Sequence, residues 1–521
     1  MKLLHTLPKL LPPMRPIASR VAAALPWRIW GLTLLAGLVM AAAMPPLGLW
    51  PLAWVALIPL WRSLLQPGQG NRARQQAWLW AAAFQGPTLI WITGLHPLTW
   101  MGLSWGTSVA IAWGCWLIIT AWGLIQVRVW VWAVQRLPQH CGLRLVGGIG
   151  LWGLVDWLWQ QSPLYWSPLA LSQSPANTWL LPLAELSGAE GLTLLIVAVN
   201  GLLAWASLSR RRSLLAGAIA LWCCAELAGW GLGQLRAADG SALTIGLIQG
   251  NVPTRIKTGP EGILLSRQRY RQGYQQLTAV GVDAVITPEG SDPTLWQAEQ
   301  SPWARWLAPE SPPLLLGTYL PQGDRYRQSL LALEPGGAIA GRYDKVRLVP
   351  LGEYIPGERW FGRWLQRLSP IQLGMQAGRL DQRFQTPVGQ VAASICYELV
   401  FPDVLRSQVQ RGATWILSAA NLDPYSEQLM NQHLALAALR AAETDRWVVQ
   451  VTNTGYSALI NPLGQVQWRS QSRIFMTQAV RMAQRSSQTP YVRWGDSVIP
   501  ILLASTVIWL GWRQRWPKQT L

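Results

Sequence analysis

The sequence predicts an α/β domain carried by a bundle of membrane-spanning helices, and three observations lead to this prediction. First, 50% of the 521 residues are hydrophobic and only 13% are charged, whereas an ordinary soluble protein is about 25% charged. Second, several apolar runs approach or reach the roughly 17–25 residues that a helix needs to cross a bilayer. Third, one long segment alternates short β-branched runs with helical patterns. This composition excludes a disordered chain, a coiled coil and a disulfide scaffold.

Eight apolar runs are predicted to span the membrane. They lie at Trp27–Met44, Leu49–Leu65, Gln76–Leu95, Trp105–Gln126, Val146–Trp159, Trp179–Ala206, Leu214–Leu235 and Ser497–Trp512. The fifth run is short and contains Asp156, a residue that is costly in lipid and therefore a candidate functional residue. Because Asp156 lies near the outer end of its run, contact with water is the alternative explanation.

The basic residues of the connecting loops predict the orientation. They occupy the N-terminal tail, the loops after the second, fourth and sixth runs, and the C-terminal tail: Lys2, Lys9, Arg15, Arg20; Arg62, Arg72, Arg74; Arg128, Arg136, Arg144; Arg210, Arg211, Arg212; Arg513, Arg515, Lys518. The loops after the first, third and fifth runs have none. Because cytoplasmic loops carry the excess of Lys and Arg, both termini are predicted in the cytoplasm. The net charge of +19 thus reflects membrane orientation, and no nucleic-acid partner is expected.

The chain is therefore predicted to have five parts. These are a cytoplasmic tail (1–26), seven transmembrane helices (27–236), an extracytoplasmic globular α/β domain (242–484), an eighth helix (497–512) and a cytoplasmic tail (513–521). Within the third part, strands are predicted at Leu243–Ile248, Ala284–Thr287, Leu314–Gly317, Val391–Ile395, Thr414–Leu417 and Trp447–Val451, with helices at Gly262–Val280 and Gln428–Glu443.

Three segments place an ionisable group at or just beyond a predicted strand end, where α/β folds expose reactive groups. The segments are Ala284–Gly290, Tyr343–Pro356 and Ala393–Glu398, and they supply Glu289, Lys345 and Cys396. A thiol is mostly protonated at neutral pH, so the cysteine needs a base to become a nucleophile. A carboxylate can take and return that proton, and an ammonium can stabilise the oxyanion of an acyl-transfer transition state. The set is sufficient for acyl transfer through a covalent intermediate.

These segments resemble the Glu-Lys-Cys triad of the nitrilase superfamily. The Tyr-x-Lys-x-x-Leu-Val-Pro-x-Gly-Glu-Tyr-x-Pro stretch and the membrane runs narrow the resemblance to the apolipoprotein N-acyltransferase family. Matching motifs also open and close the domain: Gln249–Pro253, Gln432–Glu443 and Thr452–Ser457. The chain differs from the family pattern at Thr258 (usually Trp), at Leu351 (usually Phe) and at Ser418–Tyr425.

The resemblance implies an α/β class with a nitrilase-like α-β-β-α sandwich inserted in the eight-helix bundle. It implies Glu289 as general base, Lys345 as oxyanion group and Cys396 as acylated nucleophile, with Glu353, Tyr397 and Glu398 lining or supporting the site. The expected reaction moves an acyl chain from a membrane phospholipid to the cysteine, and then to the α-amine of a diacylglyceryl-cysteine on an apolipoprotein. The expected location is a bacterial inner membrane, with the catalytic domain on the periplasmic face.

Two other functions stay open. A membrane-tethered amidase could use the same triad on a small amide and release the product to water, and a non-catalytic membrane scaffold could retain an inactive domain. No cofactor or metal is expected, because the sequence has neither a Cys/His cluster with ligand spacing nor a glycine-rich phosphate loop. His433 could act as a Cys–His partner, but a structural role is the favoured interpretation. Arg255, Lys257 and Arg269 are interpreted either as phosphate contacts or as a solvated basic face.

Overall fold

The computed structural model describes residues 25–236, 240–298, 301–354 and 374–497, together with 501, 503–506 and 508. The N-terminal part is helical. Its helices are α1 (Leu25–Ala43), α2 (Ile58–Leu65), α3 (Gly70–Thr88), α4 (Trp105–Gln135), α5 (Cys141–Gln160), α6 (Ala184–Ser209) and α7 (Arg212–Gln234). Short 3-10 helices lie between them at Trp50–Trp54, Ile90–Leu95, Thr99–Met101, Leu169–Gln173 and Leu181–Leu183.

The described residues include four helices that are long and apolar enough to cross a membrane. They are Trp105–Gln135, Cys141–Gln160, Leu181–Ser209 and Arg212–Gln234. Two predicted spans are broken: the second consists of a 3-10 helix followed by α2, and the third ends as a helix at Thr88, just after Pro87, and continues as a 3-10 helix. Most of the predicted eighth span and most of both tails lie outside the described residues. The count of eight spans therefore stays a prediction.

The second part contains twelve strands within the described residues. They are β1 (Ala242–Gln249), β2 (Ala284–Ile286), β3 (Leu314–Gln322), β4 (Arg325–Leu333), β5 (Ile339–Asp344), β6 (Phe384–Thr386), β7 (Gly389–Ile395), β8 (Trp415–Ala420), β9 (Val448–Thr452), β10 (Ala458–Ile460), β11 (Val466–Arg469) and β12 (Met476–Ala483). They form two six-stranded sheets, ordered β12-β1-β2-β3-β4-β5 and β11-β10-β9-β8-β7-β6. In each sheet three central strands are parallel and the outer pairs are antiparallel.

Helices cover the outer faces of both sheets. The helices of this second part are α8 (Thr254–Lys257), α9 (Pro260–Val280), α10 (Pro302–Trp306), α11 (Pro402–Gln410), α12 (Glu427–Thr444) and α13 (Pro490–Trp494). The inner faces meet in one buried core that contains Ile245 and Ile286 of the first sheet and Val391 and Leu417 of the second. Helix α9 covers the first sheet, and α11 and α12 cover the second. The predicted α-β-β-α sandwich is confirmed.

Helix α12 joins the two parts of the molecule, because its residues contact the second sheet on one side and the membrane helices on the other. Gln432 accepts a hydrogen bond from Trp166 Nε1 at 2.7 Å and donates one to the Thr88 carbonyl at 2.9 Å. The Ala435 carbonyl accepts from Ser174 Oγ at 2.7 Å. A helix buried on both sides needs the continuous apolar sequence that α12 has from Leu434 to Leu439. The sandwich is thus seated directly on the helical part.

Candidate active site

Cys396 stands at a sharp turn directly after β7. Its backbone φ is 54°, in the left-handed region that is unfavourable for a residue with a side chain, and a 3-10 helix starts at the same residue. Such strain costs roughly 1–3 kcal/mol and persists only where neighbouring contacts hold it. One contact is the His433 ring, whose Nε2 donates to the Cys396 carbonyl at 3.2 Å. The turn presents the thiol beyond the carboxyl end of β7.

Glu289 follows β2 and is buried beside the thiol. Its Oε1 accepts from Lys345 Nζ at 3.2 Å, and its Oε2 accepts from the Asn421 backbone N–H at 2.7 Å. Its loop lies against Gly317 of β3, where a Cβ atom would stand 2.1 Å from the Pro288 carbonyl oxygen. Glycine is required there because the loop and the strand approach so closely. Local packing thus fixes where the carboxylate points.

Lys345 follows β5 directly and is fully buried. Its ammonium donates to three oxygens: Glu353 Oε1 at 2.5 Å, Glu289 Oε1 at 3.2 Å and Gln328 Oε1 at 3.2 Å. Burial alone would lower the pKa of this ammonium, but the charges of Glu289 and Glu353 raise the pKa well above its ordinary value. Lys345 therefore carries a permanent positive charge between two carboxylates.

The two carboxylates have different electrostatic environments. Burial tends to raise the pKa of Glu289, but Lys345, the Asn421 N–H and Lys257 together bring the pKa below its ordinary value. Burial and the neighbouring charge of Glu289 raise the pKa of Glu353, despite its contact with Lys345. A general base must be ionised at working pH. Glu289 meets this condition better than Glu353.

The Cys396 thiol is protonated in this environment. Burial, the charge of Glu289 and a hydrogen bond to that carboxylate raise the pKa of the thiol well above its ordinary value, while Lys345 opposes the shift. The site therefore rests as a thiol beside a carboxylate and an ammonium. This arrangement allows proton transfer from sulfur to Glu289 when an acyl carbon approaches.

Glu398 supports the site without facing the thiol. Its Oε1 accepts from the backbone N–H groups of Val346 at 2.5 Å and Arg347 at 3.1 Å, and its Oε2 accepts from Ile395 N–H at 2.7 Å and Tyr343 Oη at 3.0 Å. One buried carboxylate thus joins the loop after Lys345 to the residue before Cys396. Burial raises the pKa of Glu398 to about 7, although these backbone N–H groups and Lys345 favour the ionised form.

Tyr397 faces the helical part and lines a largely apolar cavity of about 150 Å³ that reaches Cys396. The tyrosine hydroxyl donates to the Pro163 carbonyl, and its ring meets Phe401 edge to face at 5.0 Å. The other lining residues are Trp91, Ile92, Cys115, Ile118, Ile119, Pro163, Leu164, Tyr165, Trp166, Val349, Pro350, Leu351, Leu422, Tyr425, Leu429 and His433. The cavity wall therefore comes from both parts of the chain.

The predicted site residues come together as follows. Lys345 contacts Glu289 and Glu353 directly, and Glu289 also contacts the Cys396 thiol. Leu351 and Tyr425, two of the positions that depart from the family pattern, line the cavity, whereas Thr258 is exposed. Within the described residues, no group of three His, Cys, Asp or Glu side chains is arranged as a metal site.

The sequence interpretation missed the environment of two basic residues. Lys257 is buried rather than solvated, and its Nζ donates to the Glu289 backbone carbonyl at 3.0 Å. Arg269 donates to the carbonyl oxygens of Gly250 and Asn251 at 3.0 and 2.5 Å, so it holds the opening motif of the domain. Arg255 is exposed, as a solvated face requires. The sequence did not indicate that Lys257 is buried, because a helix of four residues is too short to show an amphipathic pattern.

The fold and the Glu-Lys-Cys arrangement at the strand ends define a carbon-nitrogen hydrolase domain. The family model described as carbon-nitrogen hydrolase matches residues 283–484, and the model described as apolipoprotein N-acyltransferase N-terminal domain matches residues 36–202. Among solved structures, yeast Nit3, a member of branch 10 of the nitrilase superfamily, is 14% identical, with a TM-score of 0.36 over 55% of this chain and 98% of its own.

Curated relatives extend the match to most of the chain. The apolipoprotein N-acyltransferase of Synechocystis is 39% identical over 90% of this chain and 98% of its own length. Those of Nostoc and Thermosynechococcus vestitus are 38% and 40% identical, over 91% and 90% of this chain and 97% and 92% of their own. The chain belongs to the apolipoprotein N-acyltransferase family, and it is a membrane protein with a carbon-nitrogen hydrolase domain.

Proposed function

We propose that the protein N-acylates apolipoproteins through a thioester on Cys396. The donor is a membrane phospholipid, and the acceptor is the α-amine of an N-terminal diacylglyceryl-cysteine. The observation that carries this proposal is the cavity that starts at Cys396 and is walled by Ile118 and Ile119 of α4, a membrane-spanning helix. The donor's acyl chain, which is as apolar as these side chains, passes from the bilayer into this space at little cost, and its carbonyl carbon then comes to the thiol.

In the first half-reaction the Cys396 sulfur attacks the ester carbonyl carbon of the phospholipid, and its proton passes to Glu289. Negative charge develops on the carbonyl oxygen, and the ammonium of Lys345 stabilises it. The C–O bond then breaks, and Glu289 returns the proton to the leaving lysophospholipid oxygen. The products are the Cys396 thioester and a lysophospholipid.

In the second half-reaction the neutral α-amine of the acceptor attacks the thioester carbon. Glu289 removes a proton from the amine, the C–S bond breaks, and the proton returns to the Cys396 thiolate. The amide of the lipoprotein forms and the thiol is restored. Glu353 and Glu398 act through other groups, because Glu353 holds Lys345 and Glu398 holds the loops that carry Lys345 and Cys396.

The proposed setting is a bacterial inner membrane with both termini in the cytoplasm. The loop arginines support this orientation, and the sandwich of residues 242–484 then faces the periplasm. Both lipid substrates are held in the outer leaflet there. This location explains why the sandwich contacts the helical part through α12 instead of standing on a flexible linker.

Mass spectrometry of the Cys396 peptide tests the proposal. Purified protein incubated with a phospholipid of known chains is expected to carry an acyl adduct that neutral hydroxylamine removes. Cys396→Ala is expected to abolish the adduct, and Cys115→Ala is the matched control because Cys115 lines the same cavity. A diacylglyceryl lipopeptide is then expected to discharge the adduct onto its amine. Discharge to water alone would favour an amidase-type hydrolase, and absence of any adduct on folded protein would contradict the proposal.

A further inference from the structure

A second lysine lies in the buried site, and the triad does not include it. Lys257 is the last residue of α8, is 4% exposed and donates from Nζ to the Glu289 carbonyl oxygen at 3.0 Å. Among the described residues, its ammonium has no other hydrogen-bond partner. Burying an ammonium is costly unless nearby negative charge compensates it. A lysine kept in such a position therefore requires an explanation.

The position of Lys257 is fixed by the same loop that fixes Glu289. Asp423 accepts from the Thr254 backbone N–H at 2.6 Å, and Asn421 Nδ2 donates to Thr254 Oγ1 at 3.1 Å. The backbone N–H of Asn421 also donates to Glu289 Oε2. On the other side, a Cβ at Gly262 would stand 2.6 Å from the Lys257 Cα. The short helix is thus tightly held between α9 and this loop.

Lys257 adds a second ammonium to a site that already holds the carboxyl groups of Glu289 and Glu353 and the ammonium of Lys345. Burial lowers the pKa of Lys257 to about 8, although Glu289, Asp423 and Cys396 favour its charged form. Lys257 is therefore mainly an ammonium at neutral pH. Its charge also contributes to the lowered pKa of Glu289.

We propose that Lys257 is a positioning residue for the acyl transfer: its ammonium holds the Glu289 loop and keeps the Glu289 carboxylate ionised, so that the base can take the thiol proton. The role given to Glu289 rests on the proposed function. Other charged or titratable groups also act on Glu289 or Lys257, namely Lys345, Glu353, Cys396, Asp423, Tyr319, Tyr425 and His433. The variants below leave all of these unchanged.

Alkylation of Cys396 by iodoacetamide tests the inference without any acyl donor. The rate is measured against pH in the full-length protein, with the Cys396 peptide quantified by mass spectrometry. Lys257→Met removes the charge and the donor, Lys257→Gln removes the charge but keeps an N–H donor on a side chain one bond shorter, and Lys257→Arg retains the charge. Arg255→Met is the matched control, because Arg255 is an exposed basic residue on the same helix.

We expect Lys257→Met and Lys257→Gln to move the acid limb of the profile to higher pH by about one unit, since a nearby opposite charge shifts a carboxyl pKa by about 1–3 units. Below the midpoint the rate then falls about tenfold. Lys257→Arg and Arg255→Met should keep the wild-type limb. If Lys257→Met does not fold, Lys257→Gln carries the same test. An unchanged limb in the Gln variant, or an equal shift in the Arg variant, would overturn the inference.

The same proteins separate this inference from the proposed function. A wild-type protein that alkylates with a normal pH profile but forms no thioester with phospholipid contradicts the proposed function and leaves the test of Lys257 intact. A wild-type protein that forms the thioester, combined with a Gln variant of unchanged profile, contradicts only the inference.

Discussion

Glu398→Gln tests whether one buried carboxylate holds together the loops that carry Lys345 and Cys396. Glu398 accepts four hydrogen bonds, from Val346, Arg347, Ile395 and Tyr343. An amide has the same shape but only one acceptor oxygen. Whichever way it turns, its NH2 group faces at least one backbone N–H that has lost its acceptor. The side chain thus keeps its volume and loses part of its hydrogen bonding.

The cost follows from the number of donors left without a partner. In the better orientation the amide oxygen still accepts hydrogen bonds from the Val346 and Arg347 N–H groups. The Tyr343 hydroxyl rotates to accept a hydrogen bond from the amide NH2 group, and only the Ile395 N–H is left without an acceptor. One unsatisfied buried donor costs about 1–3 kcal/mol. For a domain of this size, 1 kcal/mol corresponds to roughly 2–4 °C in Tm. We therefore expect a Tm lower by about 2–12 °C at neutral pH, and slower acylation because Ile395 precedes Cys396.

The raised pKa of Glu398 determines how the stability of the wild type changes with pH. The folded-state pKa of Glu398 is raised to about 7 by burial, above the ordinary value of about 4.3. Folding therefore favours the protonated form, and the stability that this group contributes is fully present below about pH 4 and is lost as pH rises through about 7. Gln does not titrate, so the variant lacks this component. Its Tm should fall less than that of the wild type between pH 5 and 8.

Differential scanning fluorimetry in detergent measures both quantities, and the thioester assay gives the rate. Glu334→Gln is the control, because Glu334 is exposed on the surface of the same domain. Equal Tm values for wild type and Glu398→Gln at neutral pH, together with an unchanged rate of thioester formation, would refute the argument that this carboxylate joins the loops.

Three further outcomes are expected. Glu289→Gln should slow thioester formation by about 10²–10⁴-fold because it removes a general base, and a rate within a few-fold of wild type would reassign the base. Ile119→Trp should fill part of the cavity and shift the donor preference toward shorter chains without changing alkylation of Cys396; donors of graded length measure this, and an unaltered preference would place the chain elsewhere. Gly317→Ala should destabilise the protein by about 1–3 kcal/mol through overpacking against Pro288 and should also displace the Glu289 loop. Thermal unfolding and the thioester assay check both effects. A Tm equal to that of the wild type would show that the Glu289 loop moves aside without cost.

The placement of Glu289, Lys345 and Cys396 was predictable because each follows a strand within a short, distinctive segment. Glu289, Lys345 and Cys396 lie at the ends of β2, β5 and β7, where local sequence decides both the strand and the exposed residue. The six predicted strands correspond to β1, β2, β3, β7, β8 and β9, although β3 is more than twice its predicted length. The other six strands, β4, β5, β6, β10, β11 and β12, were not predicted, because a short or partly polar strand resembles a loop when its partner strand is unknown. The sandwich itself followed from the family resemblance.

The environment of Lys257 was not predictable from its neighbours in the sequence. Its burial depends on Asn421 and Asp423, which are far away along the chain, and on the absence of a side chain at Gly262. The same limit applies to Glu398, whose partners come from two separate loops. The breaks in the predicted second and third spans were also hidden, because hydropathy records the length of an apolar run and not whether its backbone is continuous.

The composition of the cavity wall has a consequence for the membrane around the protein. In the proposed reaction every turnover releases one lysophospholipid, and hydrolysis of the acyl-enzyme would release a free fatty acid as well without acylating a lipoprotein. Trp91, Ile118, Ile119 and Trp166 line the space beside Cys396, and such an apolar space holds water poorly because water needs two or more polar partners. Under the proposed function, the thioester is thereby reserved for the acceptor amine. The helical part of the chain supplies this wall, and in the proposed reaction it thereby limits the breakdown of membrane phospholipid by hydrolysis.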